Sequence, residues 1–155
     1  MYLDNRQKAI VKKALEDYDF IKEELDEKIA KDYNLEDLSI YLNKYSKDVE
    51  ITNLESYNDY AYLDFLYKDL NMCVMWERDK GIRVSATFEI YDKEKKEYIV
   101  EDFLTREEYI NMLNRTREEN LQDLVATLKW YDSSNMKIAY EEQERKVINF
   151  LKENW

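Results

Sequence analysis

The chain reads as an α+β domain, with a four- or five-stranded antiparallel meander flanked by two N-terminal and two C-terminal α-helices. Three observations carry this. Apolar residues recur at three-to-four spacing at both ends of the chain, and between Ile82 and Tyr91 they alternate strictly with polar ones. Leu, Ile, Val and Phe make up 39 of 155 residues, above the roughly one-fifth level at which disorder is expected. With no proline, no serine-glycine linker and no repeat to mark a boundary, a single domain over 1–155 is expected, helical over 1–48, sheet over 49–104 and helical over 105–155.

Asp4 and Gln7 form a capping pair ahead of Val11, Ala14, Tyr18, Ile21, Leu25 and Ile29, which predicts a helix over about 5–32. Asn34 caps a shorter one, with Leu35, Leu38, Leu42 and Tyr45 on one face. Strands are expected at Val49 to Asn53, Asp59 to Tyr67 and Met72 to Glu77. Asp59 to Tyr67 also fits a helix through Tyr60, Leu63 and Leu66, and its aromatic density favours strand. Arg78-Asp79-Lys80-Gly81 supplies a hairpin turn, using the only glycine, before the strand Ile82 to Tyr91. A charged turn, Asp92 to Lys96, leads to a short strand at Glu97 to Val100. Thr105-Arg106-Glu107-Glu108 is a capping box opening a helix through Ile110, Leu113, Leu121, Leu124, Val125, Leu128 and Tyr131, with a polar middle at Asn114 to Asn120. After Asp132-Ser133-Ser134 a last helix carries Met136, Tyr140, Val147, Ile148 and Leu151.

Composition removes most catalytic vocabularies. Without histidine there is no Ser-His-Asp or Cys-His relay and no histidine-bearing zinc site, and the lone Cys73 makes no cysteine cluster. One glycine excludes the phosphate loop and the dinucleotide fingerprint. Cys73, in the apolar run Met72 to Trp76, reads as a small buried hydrophobe in a reducing compartment. No membrane span or signal peptide is expected, so a cytoplasmic protein is, and the Asn114-Arg115-Thr116 sequon reads as accidental within a helix. Carboxylate chemistry survives, but its best assembly, Asp79 with Glu94 and Lys96, draws on turn residues. The expectation is no enzyme, no cofactor and no metal.

The formal charge of −11 disfavours direct binding to nucleic acid and favours basic protein surfaces. It is unevenly spread, with 13 acids and 7 bases in residues 49–104, so −6 of the −11 lies in the sheet zone. Asp48 to Tyr67 holds five carboxylates, tyrosines at 57, 60, 62 and 67, and no lysine or arginine. Tyrosine contributes large rigid area with a polar tip, and carboxylates steer towards cations. The partner-binding residues expected are therefore Glu50, Glu55, Asp59, Tyr60, Tyr62 and Asp64. The acidic helix surface around Glu23, Glu24, Asp26 and Glu27 is the second choice.

These features point to a non-enzymatic inhibitor or regulator whose carboxylates and tyrosines mimic phosphates and stacked bases, docking on the basic surface of a nucleic-acid-binding protein. In size, charge and composition the chain is similar to the small acidic proteins with which phages and mobile elements block host nucleases, CRISPR effectors among them. No motif carries that similarity. The alternatives are an assembly module forming a homo-oligomer through its amphipathic helices, and a carboxylate or metal enzyme.

Overall fold

A computed structural model describes residues 3–45 and 47–116, together with single positions 119, 122, 145 and 149. The fold is α+β. The chain divides into two compact units, one of residues 10–109 and one of residues 1–9 with 110–155. The sheet lies wholly within the first.

Helix α1 (Asn5–Ala30) starts where expected. The Gln7 amide donates to Asp4 Oδ1 at 2.7 Å, and the Asp4 amide donates back to Gln7 Oε1 at 3.2 Å. It ends two residues early because Asp32 takes a left-handed φ of 66°, letting the Tyr33 amide reach the Lys28 carbonyl at 3.2 Å. Helix α2 (Leu35–Tyr45) has the same reciprocal cap from Asn34 and Asp37. The stripes Val11, Ala14, Tyr18, Ile21, Leu25 and Leu35, Leu38, Leu42 are buried.

Among the described residues seven strands follow, more than expected: β1 (Val49–Ser56), β2 (Tyr60–Tyr67), β3 (Leu70–Glu77), β4 (Gly81–Val84), β5 (Thr87–Asp92), β6 (Glu97–Tyr98) and β7 (Leu104–Thr105). All pairings are antiparallel, in the order β1-β2-β3-β5-β6, with β4 also on β3 and β7 on β5. Residues 60–67 are strand, because their burial alternates from Ala61 to Tyr67 with period two. The β2–β3 hairpin turns at Lys68-Asp69 without glycine, Lys68 taking a φ of 53°. In the β3–β4 hairpin the Lys80 amide donates to the Glu77 carbonyl at 3.1 Å, and Gly81 follows at φ 72°, the positive φ expected of it, as the first residue of β4.

The expected strand Ile82 to Tyr91 is two strands. Between the pairs Asn71↔Glu89 and Val74↔Val84, β3 advances three residues while the facing side advances five, so Ser85 and Ala86 form a two-residue bulge. The Tyr18 hydroxyl donates to the Ser85 carbonyl at 3.3 Å, and the Tyr18 ring stacks on Phe88 at 4.1 Å. Strand β7 is unanticipated, and it pairs Leu104 with Phe88.

Helix α3 (Arg106–Asn114) opens on the expected box, the Glu108 amide donating to Thr105 Oγ1 and the Thr105 amide to Glu108 Oε1, both at 3.2 Å. It does not run on as expected. Arg115 and Thr116 are non-helical, and Thr116 makes a fresh reciprocal cap with Glu119 at 3.1 Å. What reads in sequence as the polar middle of a long helix is thus a helix boundary, and the sequon straddles it. The helical stripe expected from Leu121 to Tyr131 and the last helix from Met136 to Leu151 lie outside the described residues.

Candidate functional site

The two faces of the sheet differ in what covers them. Ala61, Leu63, Phe65, Tyr67, Leu70, Met72 and Val74 are buried on one face, where α2 packs on β1, β2 and β3. On the other face no even-numbered residue of β2 is buried. Cross-strand partners share a face, so Glu55↔Tyr62, Asp64↔Cys73, Tyr62↔Met75 and Tyr60↔Glu77 place these side chains together on the open side.

Glu50 and Glu55 are five apart in β1, which in a regular strand sends them to opposite faces. The bulge between Ile51 and Asn53 inserts Thr52 and reverses the alternation, so Glu50, opposite Leu66, joins Glu55 on the open face. Five of the six expected residues, Glu50, Glu55, Tyr60, Tyr62 and Asp64, therefore share one face. The sixth, Asp59, lies in the β1–β2 turn, 3.5 Å from Arg78.

They do not make one patch. At the turn end, Tyr57, Tyr60 and Tyr62 stack with centroids 4.7 to 6.5 Å apart. Glu55 organises them, its Oε2 accepting the Tyr57 hydroxyl at 2.5 Å and the Tyr62 hydroxyl at 2.6 Å, with the Asn53 amide at 3.3 Å from Oε1. These bonds hold the Glu55 carboxyl below its ordinary value, and bonding to Glu55 raises both phenols. At the other end Glu50 lines a 440 Å³ hollow with Asp48, Asp69, Lys47, Lys68 and Lys93, apart from the tyrosine row. Tyr67, counted with the tyrosine run in sequence, is buried on the helix side. Tyr57 and Asn53 were missed, since only the folded turn brings them to Glu55.

Because Glu55 is depressed by its tyrosine bonds, the cluster is complete above the ordinary carboxyl value of 4.5 and is released as pH falls through the lowered one. The near-ultraviolet dichroism of the tyrosines is expected to hold from pH 7 to 5 and to fall on acidification below about pH 4 while far-ultraviolet helicity persists. A tyrosine signal unchanged to the point of unfolding refutes this linkage.

Cys73 is half-buried beside Asp64, and its thiol is pushed up to about 12, first by burial and then by the hydrogen bond to Asp64. Its thiolate population at pH 8 is on the order of a thousandth of a free cysteine's. Alkylation by iodoacetamide in the folded protein is expected to be slower by a comparable factor, and a rate within tenfold of the unfolded chain's contradicts it.

On the second-choice surface two of the four acids are in ion pairs and a third bonds a neutral hydroxyl. Asp26 pairs with Lys22 at 2.5 Å, Glu27 pairs with Lys31 at 2.9 Å, and Glu24 accepts the Tyr41 hydroxyl at 2.9 Å. Asp79 and the Glu94–Lys96 segment occupy different turns, β3–β4 and β5–β6. Among the described residues no group of three or more metal-ligating side chains converges, and no helix is long and apolar enough to cross a membrane. No protein-family model, curated protein or solved structure matches the chain.

Proposed function

We propose that the protein is a non-enzymatic inhibitor or regulator that docks its open sheet face on a basic, nucleic-acid-binding surface of another protein. One observation supports this above the others: one sheet face carries Glu55 and Asp64 beside a stacked row of tyrosines. Arginine stacks on the faces of such rings and pairs with such carboxylates, as it does with bases and phosphates. Capture of host proteins on the immobilised chain, at low and high salt, tests it. A basic partner is expected, released by salt and losing its own nucleic-acid binding when the chain is present. A partner set without any basic nucleic-acid-binding protein refutes the reading.

A second reading, self-assembly through the helices, is supported by Phe20 and Ile40, which are 51% and 47% exposed on α1 and α2. A dimer by light scattering that persists at high salt favours it.

A further inference from the structure

Strand β1 forms one end of the sheet path, and among the described residues it pairs with β2 alone. The Lys68 amide donates to the Asp48 carbonyl at 3.0 Å, and the Tyr57 amide donates to the Tyr60 carbonyl at 2.8 Å. Counting along an antiparallel ladder from these two bonds, Glu50, Asn53 and Glu55 direct their backbone groups to β2. Val49, Ile51, Leu54 and Ser56 direct theirs outward. Natural edges are blunted by charged side chains, proline or bulges; VEITNLES has no lysine or proline, and its charges, Glu50 and Glu55, are both acidic, so they repel a second copy or an acidic strand but not a basic one.

The side chains along this edge differ by face. On the open face stand Glu50 and Glu55. On the helix face, Leu54 is 44% exposed and borders, with Leu35, Ala61, Trp76 and Ile82, an apolar groove of about 530 Å³ that reaches the edge at Leu54 and Ser56. Two copies pairing through this edge about its centre would bring their Glu50 and Glu55 carboxylates face to face, which like-charge repulsion disfavours.

We propose that β1 is a docking edge for an extended segment of a partner protein that alternates lysine or arginine with aliphatic residues. The segment pairs with the outward amides and carbonyls of Val49, Ile51, Leu54 and Ser56. Its basic side chains lie over Glu50 and Glu55, and an aliphatic one enters the groove beside Leu54. The Thr52 bulge divides the edge, so the tightest pairing runs along Leu54 to Ser56. The inference rests on the reading above for the sign of the partner's charge, and backbone pairing is its own.

The test uses the full chain and three capped synthetic hexapeptides: alternating Lys and Val, the same peptide with every second backbone nitrogen methylated, and alternating Glu and Val. Calorimetric titration is expected to show binding of the first only, with methylation lowering affinity at least tenfold. Hydrogen exchange at the Leu54 and Ser56 amides should slow when the first peptide is added. Equal affinity for the methylated and parent peptides overturns edge pairing while leaving face docking intact. Preference for the Glu peptide overturns the charge assignment. Absence of binding at millimolar peptide, or slow exchange at these amides in a peptide-free dimer, overturns the proposal outright.

Discussion

Phe88→Ala is expected to lower the free energy of unfolding by about 3–5 kcal/mol, a large fraction of the 5–15 kcal/mol typical of a domain this size. Phe88 is fully buried, with the Tyr18 ring on one flank at 4.1 Å and the Tyr109 ring on the other at 4.9 Å. Truncation leaves a cavity between two rings whose hydroxyls fix them in place. Tyr109 donates to the Phe88 carbonyl at 2.8 Å, and Tyr18 donates to the Ser85 carbonyl at 3.3 Å. Neither ring can follow the lost side chain without breaking its bond, so collapse of the cavity is limited. Urea denaturation followed by far-ultraviolet dichroism measures the loss, and Tm should drop by roughly 10 °C. Phe103, 50% exposed, is the internal comparison, and Phe103→Ala should stay within about 0.5 kcal/mol of the parent. A Phe88→Ala protein within 1 kcal/mol of the parent shows that the three rings are not a core.

That cluster also shows what the sequence conceals. Helix starts were readable because Asp4, Asn34 and Thr105 each carry a reciprocal partner three residues on, a signal local to four residues. The α+β class followed from periodicity. The division of β4 from β5 was hidden because the Ser85-Ala86 insertion has two residues and leaves the alternation from Ile82 to Ile90 unbroken. Thr52 has the opposite effect: one extra residue reverses the alternation, and no local pattern announces it. The shared face of Glu50 and Glu55 therefore belongs to the pairing with β2. The stop of α3 at Asn114 lacks the usual glycine, so the helix reads as continuous in sequence. For the candidate site, the acid-and-tyrosine run was visible in sequence. That Glu55 bonds two phenols, and that Arg78 pairs with Asp59, was not.

These contacts rank the expected residues by effect on partner binding. Tyr60→Ala combined with Asp64→Lys should weaken binding of the captured partner by about 2 kcal/mol or more, roughly thirtyfold, while leaving stability nearly unchanged. Tyr60 is 47% exposed, and its ring stacks at 4.7 Å on Tyr57, giving a partner cation a flat, preorganised surface at the end of the row. Asp64 stands between that row and the centre of the open face, opposite Cys73, where lysine puts a positive charge in the path of a basic surface. Asp59→Lys alone should cost little, since Asp59 and Arg78 are 75% and 74% exposed and screened by water. Glu55→Gln should lie between, because the amide still accepts a phenol hydrogen bond but removes the charge that gathers both hydroxyls. Equilibrium titrations of the variants at one salt concentration give the order. If Asp59→Lys weakens binding as much as the Tyr60 and Asp64 pair, net charge governs the interaction and the tyrosine row takes no part in it. If the order holds and the salt dependence of the Tyr60→Ala variant matches the parent's, stacking and charge act as separate contributions of one sheet face.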